Sequence, residues 1–458
     1  MKNLADSNVL FDSAILGGTL VRPGQPPMPA AIGIRDGRIA AIADPSVPIR
    51  GVETVDASGL HVFPGVIEPH AHWDLGNGLE DFTTESRSAL LGGVTTVLFF
   101  LRRNVPYDQM FPQYREYGEA HSLIDFGFHA VLLTEEQLSE VDHYVQDLGI
   151  TSFKYYLTYR GEDAARMKVR DVDDGFMFDC FQAVARHPRA LIIAHCENID
   201  LIRRVRAGLI AAGRDDMDAW QASRPVLAEV EGVRRAMLFA EATGCKLNVL
   251  HLTSEAALDE VRDFRERYPD VFVEVCHSYL TWNSDNPLPH AALMRPPLRT
   301  SADNEALWRG VVDGSVNTAG SDHVPRKLER KMGSVWTADT GCPGTAMLLP
   351  IMLSEGHHKR GIPIERIAEL TSLNPARLYG LYPRKGTLDL GADADVTMVD
   401  LAAEHTVRAE HLLSNADYTL YEGWRVKGWP VHVMVRGKWA MRDGQVVGEP
   451  GIGRYIAR

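Results

Sequence analysis

The chain has 458 residues, 45% hydrophobic and 24% charged, which is the balance of an ordinary soluble globular protein, and its longest apolar stretch, 94–101, is too short to span a membrane. A formal net charge of −13 at pH 7 leaves no basic stripe for phosphates, so nucleic acid is excluded as a partner. The five cysteines (Cys180, Cys196, Cys245, Cys276 and Cys342) are scattered and never spaced as Cys-x-x-Cys, which excludes a disulfide framework and a cysteine zinc module; they read as small buried apolar residues.

The opening MKNLADSNVLFDSAILGG has neither a basic leader nor a long apolar segment, so a cytoplasmic protein without a secretory signal is expected. The runs SAILGGTLV, AAIGIRDGRIAAIA and VETVDASGLHVF, parted by Gly, Pro and Asp turns, predict strands of a small sheet. From residue 66 to 322 strand-like segments alternate with helical ones: VIEPHAH, VTTVLFFL, LIDFGFHAVL, ITSFKYYL, ALIIAHC, KLNVLHL, VFVEVC and SVNTAGSD. Stretches between them, such as VLAEVEGVRRAMLFAEATG and SEAALDEVRDFRERY, space their apolar residues three and four apart, as helices packed outside a parallel sheet require. Eight such alternations predict an α/β protein built on a (β/α)8 TIM barrel. The end of the chain returns to strands: DVTMVD, then VHVMVRGKWAMRDGQVV with Arg-Gly and Asp-Gly turns. Both termini therefore predict one composite β-sandwich domain, made of residues 1–62 and 385–458 and flanking a barrel at 63–384.

The strongest chemical signal is FPGVIEPHAHWDL, where His70 and His72 stand two apart at the end of an apolar strand and so share a face. His195 closes ALIIAHC, and His251 closes KLNVLHL, at the ends where barrel enzymes gather catalytic groups; each reads as a metal ligand or as a packed, hydrogen-bonded histidine. Asp322, in NTAGSDHVP, reads as a ligand or as a cap before Pro325. Lys154 lies inside ITSFKYYL, where a charged ammonium is expensive to bury. Burial favours the neutral amine, which can add carbon dioxide to give a carbamate able to bridge two cations; the alternative is a lysine that snorkels outward or pairs with a carboxylate.

These residues carry a resemblance over nearly the whole chain. PGVIEPHAH, GGVTT at 92–96, SFKYYLTY, AHCEN, HLTS, PPLR at 296–299, SDHVP, NPARLYGLYPRKGTLDLGADAD and YEGWRVKGWPVHVMVRGK resemble, in order, the cyclic amidohydrolases of the hydantoinase and dihydropyrimidinase branch. The resemblance implies a barrel with a composite β domain and two divalent metal ions, zinc by preference, held by His70, His72, carbamylated Lys154, His195, His251 and Asp322. It further implies hydrolysis of a hydantoin, dihydropyrimidine or similar cyclic ureide by a metal-bridging hydroxide. Asp322 would carry the proton from the nucleophile to the departing ring nitrogen. Tyr159 would donate to the developing oxyanion, against a plainer reading as a barrel-rim aromatic. The small-molecule ring is the expected partner, in a homodimer or homotetramer whose tail EPGIGRYIAR resembles an arm reaching a neighbouring subunit.

Two positions depart from the hydantoinase pattern: Arg295 replaces a small serine before Pro-Pro-Leu-Arg, and Thr340 replaces an asparagine before Gly-x-Pro-Gly. Both are substrate-binding candidates. Arg295 motivates a second reading, another ring such as a cyclic imide, a lactam, or a carboxylate-bearing ring like dihydroorotate or allantoin; it reads equally as a surface ion pair. Arg102 and Arg103 raise the same question, and His277 reads as a satisfied histidine near the mouth. A third reading, a non-catalytic scaffold, is disfavoured because all six ligand positions are filled.

Overall fold

The computed structural model describes residues 10–161, 164, 165, 171 and 173–458; the first nine residues, which begin the stretch read for a signal and the 1–62 segment, lie outside the described residues. The chain opens with β1 (Leu10–Arg22), β2 (Gln25–Arg35), β3 (Arg38–Ala43), β4 (Arg50–Asp56) and β5 (His61–Pro64). The barrel strands follow: β6 (Val66–Ala71), β7 (Val94–Leu101), β8 (Asp125–Val131), β9 (Ser152–Tyr156), β10 (Leu191–His195), β11 (Leu247–Val249), β12 (Val271–Cys276) and β13 (Thr318–Gly320). The chain then returns through β14 (Val396–Thr406), β15 (Arg425–Val435), β16 (Lys438–Arg442) and β17 (Gln445–Val446).

Strands β6 to β13 pair in sequence order, all parallel. A bridge between Ala71 and His323 brings the first strand to the last and closes the ring. Strand β7, VTTVLFFL, is buried at every position because helices cover its outer face and side chains fill the inner one, which is why it reads as an unbroken apolar run. The covering helices stop where their sequences say. The helix Val226–Thr243 ends on Gly244, left-handed at φ 71°, and Ser301–Asp313 begins with Thr300 and Asp303 bonding each other's backbone amides. All five cysteines are buried and free.

The other nine strands form one mainly antiparallel sheet in which β5 lies between β1 and β14, so the two ends of the chain share it. Its inner face has its own apolar core, drawing Ile15, Ile32 and Val62 from the start of the chain and Val396, Met398 and Met434 from its end. Among the described residues no helix is long and apolar enough to cross a membrane.

The structure corrects two expectations. Strands β11 and β13 are three residues each, shorter than KLNVLHL and SVNTAGSD, because the backbone leaves strand geometry before His251 (φ 36°) and Asp322 (φ 51°). The tail EPGIGRYIAR, expected as an arm toward a neighbour, lies across the base of the chain's own barrel. Its amides and carbonyls pair with Ser122, Phe126 and Gly149, Tyr455 stacks on Phe128 at 5.1 Å, and Ile456 is buried.

Candidate active site

The ends of β6, β9, β10, β11 and β13 open into one cleft, lined among others by His72, Lys154, His195, His251 and Asp322, with Tyr159, Arg295 and Thr340 on its wall. Alternation along β6 sends Glu68 and His70 inward and continues to His72 just past its end. The Nε2 atoms of His70 and His72 stand 3.0 and 3.1 Å from Asp322 Oδ1, and one donor atom from each of the three residues falls within 4.8 Å of the others. His195 Nδ1 faces His251 Nε2 at 3.0 Å. His251 and Asp322, both non-glycine residues with positive φ, occupy conformations that cost energy and that the surrounding fold must impose.

Behind these groups stand carboxylates that the sequence reading did not single out. Glu274, on β12 and fully buried, accepts from His70 Nδ1 at 2.5 Å, which leaves Nε2 directed at Asp322. Glu197 does the same for His195, accepting from Nε2 at 2.8 Å while Arg224 donates to Glu197 from the other side. Glu68 accepts from the amides of His70 and Ser321 and so ties β6 to the loop carrying Asp322; burial pushes its carboxyl up to about 7. A signal existed in each case: Glu68 and Glu274 interrupt apolar barrel strands, where an unpartnered carboxylate is prohibitive, and Glu197 sits two residues from a strand-end histidine.

Electrostatics match the geometry. Burial holds His72, His195 and His251 below the usual histidine range, hence neutral, the form that ligates a metal. Burial opposes charge on His70, yet Glu274 and Asp322 raise it to about 9, and His70 in turn holds Asp322 well below the carboxylate range despite its burial. The spot between His70 Nε2 and Asp322 Oδ1 therefore calls for a positive charge. Lys154 is buried with no ion pair among the described residues; its Nζ lies 4.6 Å from the Tyr156 ring centre and 5.0 Å from that of Phe100, and burial lowers it to about 8. It neither snorkels nor pairs.

Tyr159 stacks on Tyr156 at 4.6 Å and accepts a 3.2 Å hydrogen bond from Arg102. Arg295 lines the cleft with its guanidinium 5.4 Å from the Trp220 ring centre, and Thr340 O accepts from Arg326 at 3.3 Å. Arg103 turns away to Asp74 and Tyr114, and His277 is satisfied by Tyr421 and Gly344.

The sequence profile of the amidohydrolase family matches residues 61–440, most of the chain. The chain belongs to the amidohydrolase family. This amidohydrolase is 32% identical to the D-hydantoinase of Geobacillus stearothermophilus over 442 residues, 93% of this chain and 92% of that protein. It is equally identical to the L-hydantoinase of Paenarthrobacter aurescens over 441 residues, 94% of each. Among solved structures, a dihydropyrimidinase from Brevibacillus agri superposes with a TM-score of 0.90 at 28% identity, covering 97% of this chain and 98% of that one. An L-hydantoinase from Arthrobacter aurescens superposes with a TM-score of 0.90 at 30% identity, covering 98% and 100%. The hydantoinase branch and the barrel read from the motifs are thereby borne out, and the family generally binds divalent metal ions.

Proposed function

We propose that this amidohydrolase opens the ring of a hydantoin, dihydropyrimidine or related cyclic ureide by hydrolysing its amide C–N bond. The observation that carries the reading is the convergence of His70, His72 and Asp322 on one point at the floor of the cleft, in a chain whose 32%-identical relatives are hydantoinases. The donor set fits divalent metal, since the neutral imidazoles of His72, His195 and His251, the His70 ring aimed by Glu274 and an ionised carboxylate suit zinc. His70, His72, His195, His251 and Asp322 would hold two such ions, together with Lys154 as a carbamate formed by its neutral amine and carbon dioxide with loss of a proton. Bound there, the ions supply Lewis acidity, lowering the pKa of water and polarising a carbonyl oxygen.

The rest falls to the protein. Asp322 Oδ1 takes the proton that the attacking water loses and delivers it to the ring nitrogen, so the C–N bond breaks with nitrogen leaving as a neutral amide or amine. The water oxygen stays on the acyl carbon, giving a ureido acid. The Tyr159 hydroxyl, whose oxygen already accepts from Arg102, keeps its proton free to donate to the oxyanion that forms at that carbon. Backbone groups around Thr340 hold the amide edge of the ring.

The test is ring opening of hydantoin, dihydrouracil, succinimide, dihydroorotate and allantoin by protein loaded with zinc, before and after chelation. Turnover of a ureide ring that chelation abolishes and zinc restores is expected; turnover indifferent to chelation overturns the metal assignment, and no turnover of any cyclic amide overturns the reading.

A further inference from the structure

Cations dominate the wall of this cleft above its floor: Arg102, Arg224, Arg295 and Arg326 line it, and among the described residues the only carboxylate beside them beyond Asp322 is Asp339. Three are engaged elsewhere. Arg224 is locked into buried Glu197, Arg295 lies against Trp220, and Arg326 faces Asp339 at 3.7 Å while reaching Thr340 O. Arg102 differs. It follows directly on β7, is half-buried, and donates at 3.2 Å to the phenolic oxygen of Tyr159; among the described residues no carboxylate lies within ion-pair reach of it.

A guanidinium has five donors in a planar fork, and a phenol oxygen occupies one of them. Burial opposes the charge of Arg102 while Tyr159, Tyr156 and the more distant Asp74 favour it, and the donors that Tyr159 does not occupy face an anion entering the cleft. Arg326 lines the same cleft. Burial first, and then the repulsion of Arg102, pull the Arg326 guanidinium below its ordinary value against the pull of Asp339. Two mutually repelling cations on the walls of a substrate cleft, one with spare donors, make a binding site for a negative charge. The hydrogen bond to Tyr159 places the Arg102 donors beside the residue that the ring-opening reading sets at the oxyanion.

We propose that the ring opened here carries a carboxylate on an exocyclic arm, and that Arg102, with Arg326 lining the same cleft, is the residue that selects it. This rests on the ring-opening reading but goes further, because nothing in that reading requires the ring to be charged. Arg102 here contacts substrate away from the reacting bond, so it governs which ring is accepted.

The test compares two hydantoins of nearly equal size, one with a carboxymethyl arm at the substituted ring carbon and one with the neutral carbamoylmethyl arm, on the zinc-loaded protein. A charge-assisted fork to a carboxylate discriminates by roughly 10- to 100-fold. The wild type should therefore favour the acid by that factor in kcat/KM, chiefly through KM. Arg102→Gln should bring the acid-to-amide ratio to about one, and Arg102→Lys should restore part of it. The ratio compares two substrates on the same protein, so a partly folded variant or a disturbed Tyr159 does not disguise the result. Titration calorimetry with the same two compounds reads the preference without turnover, and the acid's advantage should shrink as salt rises. A wild-type ratio at or below one, or a ratio unchanged in Arg102→Gln, overturns the proposal. If neutral rings are opened but the acid is neither opened nor bound, ring opening stands and the anionic arm falls. If the acid binds through Arg102 and no ring opens, the anion site stands and the ring-opening reading falls.

Discussion

Two buried lysines stand at opposite ends of the barrel, and the protein treats them in opposite ways. Lys154, toward the mouth on β9, has aromatic rings around its ammonium and no ion pair among the described residues, so burial pulls it down to about 8. Lys385, at the base, meets Asp125 at 2.6 Å, Asp395 at 2.5 Å and Asp393 at 3.2 Å, and their charge outweighs burial and pushes it above its ordinary value. The same contrast holds for the histidines. His129, deep in the barrel, is bonded to Ser152 and to Pro69 O, and Ser152 Oγ also accepts from Arg458 of the tail. At the mouth, among the described residues, His251 Nδ1 has no hydrogen bond, and His70 Nε2 faces a carboxylate oxygen without hydrogen-bond geometry. Lys385 and His129, which hold the structure together, are matched by partners within the chain, whereas among the described residues Lys154 has no ion pair and His251 Nδ1 no hydrogen bond.

Making the same substitution at both lysines tests this contrast most directly. Lys154→Met should lower ring opening by on the order of 10³-fold or more, because the ions it helps to hold supply several kcal/mol of transition-state stabilisation. Bound metal, read by mass spectrometry, should fall with it while the thermal midpoint holds; full activity with full metal content would remove Lys154 from the site. Lys385→Met should do the reverse, destabilising the fold by ~3–5 kcal/mol because three buried aspartates lose their cation, as chemical denaturation would measure. Its pH dependence has a definite sign. A lysine raised in the folded state contributes stability that is complete below its ordinary value of 10.5, so the gap between wild type and variant should be constant through neutral pH. That gap should fade as the pH climbs past 10.5 and through the higher folded value; a gap that widens there would contradict the assignment. The smallest effect belongs to the orienting shell. Glu274→Gln keeps an acceptor for His70 Nδ1 but removes its charge, and should weaken metal binding by ~10- to 100-fold, with activity recovered by excess zinc. Loss that excess zinc does not rescue would instead assign Glu274 to folding.

Sequence alone determined the alternation of apolar strands with amphipathic helices, and therefore the barrel, because a parallel strand covered on both faces must be apolar throughout, as VTTVLFFL is. It also determined the family and the set of strand-end candidates, since His70, His72, His195, His251 and Asp322 each punctuate a recognisable run. Tertiary structure decided what those runs conceal. Local pattern carries no record of which strand lies across the barrel, so VFVEVC read only as a strand until β12 placed its Glu274 against His70, more than two hundred residues away. Arg102 and Arg103 are adjacent and identical in type, yet the turn after β7 sends one into the cleft beside Tyr159 and the other outward to Asp74. The tail showed an arm-like composition, but whether it reached outward or lay across its own barrel depended on the β8 edge and on the pocket around Phe128 that receives Tyr455. Periodicity fixes the face a side chain points to; which partner waits on that face is settled only when distant segments are brought together.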